Sequence, residues 1–148
     1  LSKAFGGHGG FIPGSYDLIR KLKRTVGAYG GATAPPTSVA AASAKGIDLV
    51  QSHPEWREKL RHNVARAKKG MRQLGFDVGD TPVPIVAWTL ASEKKMKRVR
   101  KELLDRGIAI AHLKYAGAPE CGVLRASIFS SHTDAQIDKL IEELKKLV

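Results

Sequence analysis

Val123-Leu-Arg-Ala-Ser-Ile-Phe129, then Ser130-Ser-His132, then Thr133-Asp-Ala-Gln136 set an alternating run directly before a helix start. Alternation puts Leu124, Ala126 and Ile128 on one face of a strand and Val123, Arg125, Ser127 and Phe129 on the other. Thr133 with Gln136 three residues later is a capping box, in which the threonine hydroxyl and the glutamine side chain each satisfy a backbone N–H at the helix start. The stripe Ile137, Leu140, Ile141, Leu144 and Val148 then recurs at helical spacing. A one-sided strand feeding a one-sided helix predicts an α/β chain, in which each apolar face covers the other.

Working back from this stretch, Ile108-Ala-Ile-Ala-His-Leu113 reads as a strand. Ser92 to Arg106 reads as a helix with Met96, Val99, Leu103 and Leu104 inward and Gly107 closing it, and Val83-Pro-Ile-Val-Ala-Trp-Thr-Leu90 as another strand. The order is β-α-β-β-α, which predicts a small α+β domain over 76–148 with two helices on one face of its sheet. About 70 residues is near the lower limit for a self-supporting domain. Before it, Trp56, Leu60, Val64, Ala67, Met71 and Leu74 recur every three or four residues up to Gly75, and the stripe predicts core. Pro54 suits a first helical turn with Ser52 as its cap, and small residues from Ala40 to Ala44 favour a closely packed helix. Ser38 to Leu74 is therefore expected to be a bent helical connector with a basic outer face. Earlier still, Gly27, Gly30, Gly31, Pro35 and Pro36 break all periodicity. Ser15 can cap a helix to Arg24 whose stripe of Leu18, Ile19 and Leu22 is expected to pack on something outside these residues.

Two residues stand out chemically. Lys3 stands three residues ahead of Gly6, with Gly7, Gly9 and Gly10 following, backbone that can approach a flat ring or a phosphate closely. A lysine amine is a nucleophile when unprotonated and can form a Schiff base with an aldehyde. The same residue types also suit a frayed terminus. Arg125 interrupts an apolar strand, where a guanidinium needs either solvent at a sheet edge or a fixed anionic partner. His8, His112 and His132 have no catalytic spacing, and structural roles are expected of them. Cys121 has no catalytic partner nearby in sequence.

Ser2-Lys-Ala-Phe-Gly-Gly-His-Gly-Gly-Phe11 resembles the lysine segment of fold-type I pyridoxal-phosphate enzymes, specifically the α-oxoamine synthases of the aminotransferase class I/II enzymes. Leu124-Arg-Ala-Ser-Ile-Phe-Ser-Ser-His-Thr133 resembles the arginine strand and histidine-threonine helix start of the same family. The resemblance implies pyridoxal 5'-phosphate as cofactor, with Lys3 as its Schiff-base lysine and the base for the α-proton. It implies Arg125 as the grip on an amino acid's carboxylate. It further implies that Thr33, in Gly31-Ala-Thr-Ala-Pro-Pro36, gives a hydroxyl across a homodimer to the other subunit's cofactor phosphate. The reaction implied condenses an amino acid with an acyl-CoA, losing CO2, to give an aminoketone. In the family's layout, 1–37 would end the large cofactor domain, 38–75 would connect, and 76–148 would be the C-terminal small domain. The missing N-terminal part of the same enzyme would precede Leu1, and these residues alone are expected to be inactive. Two alternatives stay open: a pyridoxal-phosphate aminotransferase, distinguished by coenzyme A dependence, and a non-catalytic C-terminal fragment or module.

The 148 residues are 43% apolar and 26% charged, a globular composition. The formal charge of +11 invites nucleic acid as a partner, but much of it lies on amphipathic helix faces such as Glu93 to Lys101. An acidic partner segment or an anionic substrate such as coenzyme A accounts for it better, and no nucleic acid is expected. No apolar run approaches the roughly 20 residues of a membrane span, and no membrane partner is expected. One cysteine and scattered histidines leave no metal-ligand spacing. A cytoplasmic, metal-free protein is the expectation.

Overall fold

A computed structural model describes residues 1–148. The backbone divides into two units, Leu1–Pro54 and Glu55–Val148. The helices and strands in chain order are α1 (Tyr16–Thr25), α2 (Thr37–Ser52), α3 (Pro54–Gln73), β1 (Ile85–Trp88), α4 (Glu93–Asp105), β2 (Ala111–Leu113), β3 (Val123–Ser127) and α5 (Asp134–Lys145). No helix is long and apolar enough to cross a membrane.

In the second unit the strands form one antiparallel sheet in the order β1-β3-β2. Val86, Trp88, Leu124 and Ala126 occupy its covered face. They share a core with Met96, Val99 and Leu103 of α4, Ile137, Leu140 and Leu144 of α5, and Val64, Ala67 and Met71 of α3. Full burial of side chains this size contributes about 1.5–3 kcal/mol each before chain entropy opposes it. Ser92 accepts from the Lys95 N–H, and Thr133 and Gln136 make both bonds of the capping box. Gly75 and Gly107 take the positive φ that ends α3 and α4.

Several expectations are corrected. The core of this unit takes three helices rather than two, since α3 packs into it. Ser52 is no cap: it ends α2, and its Oγ donates back to the Asp48 carbonyl at 2.6 Å. Helix α2 stops there and α3 begins at Pro54, so the helical stretch is broken at His53. Trp56 is 44% exposed because it lies in the first turn of α3, ahead of the Val64–Met71 stretch that enters the core. Leu104 is 52% exposed, since it sits about 100° around the helix from fully buried Leu103. Val148 is also exposed. The strands are shorter than the apolar runs that predicted them; β2 pairs only over Ala111–Leu113 and stops there although β3 runs on to Ser127.

Two polar residues of α3 are buried instead. Asn63 is fully buried, and its amide donates to the carbonyls of Phe129 (2.8 Å), His132 (2.9 Å) and, more weakly, Ser130 (3.5 Å). It thus closes the turn between β3 and α5. Lys68 is 4% exposed and donates to the Thr81 carbonyl (2.6 Å) and hydroxyl (3.0 Å).

Along α3 and α5, Lys59, His62 and Arg66 surround Asp134 at 3.2–3.3 Å, and Arg66 forks onto Asp138. The His62 and Lys59 hydrogen bonds hold the Asp134 carboxyl below its ordinary range, and Arg66 does the same for Asp138. Hydrogen bonds from Lys114 and then Lys97 bring Glu93 down to about 2. Carboxyls depressed on folding contribute stability above their unfolded values near 4 and lose it as pH falls through the folded ones. The melting temperature is therefore expected to fall from about pH 4 towards pH 2. The double variant Asp134→Asn/Asp138→Asn should flatten that slope; an unchanged slope would show these pairs to be idle.

The first unit buries a single residue, Ser43. Ser15 caps α1 by accepting from the Leu18 N–H. No residue of that helix is buried, and Tyr16, Leu18, Val26 and Tyr29 are all exposed. What orders the Lys3 loop is close approach to α2. A Cβ on Gly7 would strike the Ser43 side chain, and one on Gly46 would strike the Phe5 carbonyl. Replacing Gly46 by alanine is thus expected to unseat the loop despite the better helix propensity of alanine. Faster limited proteolysis within residues 1–10, with the second unit resistant as before, is the readout.

Candidate functional site

Arg125 lies on β3, the central strand, so it is not an arginine at a sheet edge. Its cross-strand neighbours are Ala87 on β1 and Ala111 on β2. Opposed residues of an antiparallel pair share a face, so the guanidinium stem has only methyl groups beside it. The Nε atom is buried and has no hydrogen-bond partner. A buried donor left unpaired costs about 1–3 kcal/mol; Asn63 Oδ1, Trp88 Nε1 and Arg106 Nη1 are also buried without a hydrogen-bond partner.

Beside it the sheet opens. Strand pairing between β2 and β3 ends at Ala111 opposite Arg125, and the preceding residues Gly107–Ile110 line a concavity with β3 and α5. Its volume is about 770 Å³, and Arg100, Arg125, Ser127, Ile108, Phe129 and Leu140 are among its walls.

Lys3 sits in a tight turn in the first unit. The Gly6 N–H donates to the Lys3 carbonyl at 3.4 Å, and the Gly7 N–H to Leu1 at 3.2 Å. Its side chain is exposed, and its ammonium has no partner in the chain. Thr33, also exposed, follows a 3-10 turn at Gly27–Tyr29, and its hydroxyl has no partner either. Lys3 and Thr33 therefore belong to one unit and Arg125 to the other.

The histidines read as structural match that role where they are packed. The Phe129 N–H donates to His132 Nδ1 at 3.2 Å, and the two rings meet edge to face at 5.4 Å. His112 Nε2 lies 2.9 Å from the Cys121 carbonyl, and Cys121 is half-buried. His8 is exposed. Sequence reasoning overlooked two residues. Ser127 lines the cleft two positions after Arg125; alternation placed it on the face of Arg125 but gave it no role. Asn63 had no such signal, because its partners lie 66 to 69 residues away.

The sequence profile of the family described as aminotransferase class I and II matches residues 1–144. Among curated relatives, the 8-amino-7-oxononanoate synthase of Thioalkalivibrio sulfidiphilus is 34% identical over 147 residues, 99% of this chain and 38% of that protein. The enzyme of the same name from Methylococcus capsulatus is 35% identical over 152 residues, again 38% of its length. A solved structure described as SPT with PLP internal aldimine superposes with a TM-score of 0.84 at 26% identity, covering 99% of this chain and 37% of that one. The chain thus spans little more than a third of the proteins it matches. It belongs to the aminotransferase class I and II family, and within that family its similarity runs to enzymes of the α-oxoamine synthase type.

Proposed function

We propose that this chain is part of a pyridoxal-phosphate-dependent acyltransferase that condenses an amino acid with an acyl-CoA, with decarboxylation, to an aminoketone. The observation that carries the reading is Arg125: a bidentate donor on a central strand, cleared of neighbours by Ala87 and Ala111, with a buried Nε that lacks an acceptor. A planar guanidinium matches a carboxylate in two parallel hydrogen bonds, which lysine cannot reproduce.

The residues present fit the cofactor. Lys3 offers a primary amine without a partner, and a Cβ at Gly6, Gly9 or Gly10 would meet nothing within 4 Å, so open space adjoins the turn. Thr33 offers a free hydroxyl for a phosphate, given to the partner subunit in a homodimer. When bound, pyridoxal phosphate supplies an electron sink for the pair left at the α-carbon. Lys3 would hold the cofactor through its amine and would accept the α-proton on Nζ. Arg125 holds the carboxylate and so fixes which bond to the α-carbon is oriented for cleavage. The family's name favours a second reading, an aminotransferase using the same lysine and arginine; only the acyltransferase needs coenzyme A thioesters.

Borohydride reduction in the presence of pyridoxal phosphate, followed by peptide mapping, tests the site. A pyridoxyl adduct concentrated on Lys3 and lost in Lys3→Ala is expected. Adducts scattered over the exposed lysines in proportion to their accessibility would overturn it.

A further inference from the structure

We infer that Ser127 is a second carboxylate-binding residue, which holds the substrate's carboxylate together with Arg125 through both its hydroxyl and its backbone N–H. The inference rests on the reading of Arg125 just given and goes beyond it in adding a second donor residue to the carboxylate site.

The argument begins with the ladder. The Ile128 N–H donates to the Pro84 carbonyl on the β1 side at 2.9 Å. Successive N–H groups of a strand point to opposite sides, so the Ser127 N–H points away from β1, towards where β2 would continue. Pairing with β2 has already ended at Ala111 opposite Arg125, and the space beyond is the cleft that Ser127 lines. The Ser127 backbone donor thus faces a gap in the sheet. Its side chain lies on the same face as that of Arg125, two residues along, and the hydroxyl is exposed with no partner in the chain. Ala87 and Ala111 flank Arg125, while Ser127 has Ile85 opposite it on β1 and Ala109 lining the cleft on the other side. Two donors from Ser127 and the fork of Arg125 can satisfy both oxygens of one carboxylate. The Arg125 fork can reach both oxygens by itself, and the Ser127 donors would take lone pairs that the fork leaves open, holding the carboxylate more firmly in that orientation.

The test uses the whole 148-residue chain, 15N-labelled and titrated with propionate, following the Arg125 Nε–H and Ser127 amide resonances. The expected result is that both move with one common Kd, that Ser127→Ala weakens binding about five- to tenfold, and that Ser127→Thr, which keeps the hydroxyl, stays within about twofold. If Arg125 responds while the Ser127 amide stays still and Ser127→Ala binds like the parent, the role of Ser127 is overturned and the Arg125 reading stands. If neither resonance moves, or Arg125→Lys binds as well as the parent, the Arg125 reading falls and takes this one with it.

Discussion

Replacing Asn63 by aspartate is expected to destabilise the second unit by about 3–5 kcal/mol, a large part of the roughly 5–15 kcal/mol available to a domain. The substitution changes one atom group and reverses the chemistry. The amide of Asn63 donates into the turn that links β3 to α5, with its nitrogen within 3 Å of the Phe129 and His132 carbonyls. A carboxylate there would set like partial charges against each other in a fully buried position and leave those carbonyls without a donor. The folded protein can respond only by holding the new carboxyl neutral, which raises its folded pKa above the unfolded value near 4. A group raised on folding favours the folded state below its unfolded value and loses that advantage as pH rises. The deficit relative to the parent should thus be smallest in mild acid and widen towards neutrality, whereas Asn63→Ala should cost about 2–3 kcal/mol with no such pH dependence. Urea melts at pH 4 and pH 7 separate the two. Equal stability of Asn63→Asp and the parent at pH 7 would show that the turn does not depend on this amide.

The contrast between Asn63 and its neighbours shows what the sequence made legible. Periodicity and local chemistry found the elements: the capping box at Thr133, the Ser15 cap, the Gly75 and Gly107 stops, and the stripe of Val64, Ala67 and Met71. Each signal lies within a few residues of what it determines. The misreadings concern what meets the element from a distance. Trp56 has the spacing of a core residue but lies ahead of the part of α3 that enters the core. Asn63 and Lys68 look like members of a solvated face until Phe129 and Thr81 arrive from elsewhere in the chain. The same holds for the candidate site. Arg125 was conspicuous because a charge broke an apolar strand, yet its central position, with alanines on both sides, follows from strand order, which alternation cannot give. Lys3 was singled out by its place ahead of the glycines and Thr33 by resemblance; the structure adds that both side chains are exposed and without partners.

Arg125→Met is expected to raise stability while removing carboxylate binding. An arginine kept for the fold would have its buried atoms paired, and truncating it would leave a partner behind. Here the buried Nε has no partner to lose, so methionine, similarly long and unbranched, relieves an uncompensated donor. A gain of about 1 kcal/mol in a urea melt is expected, together with a loss of propionate binding of about 100-fold or more, as a hydrogen-bonded charge pair is removed from a confined site. Arg125→Lys should bind nearly as poorly, because a point charge on a flexible stem does not reproduce the fork. The opposed signs give the experiment its force, since a merely structural residue loses stability when replaced and a surface residue changes neither quantity. If Arg125→Met proves less stable than the parent by more than about 1 kcal/mol, Arg125 is held by the fold after all, and the unpaired Nε would no longer point to a ligand.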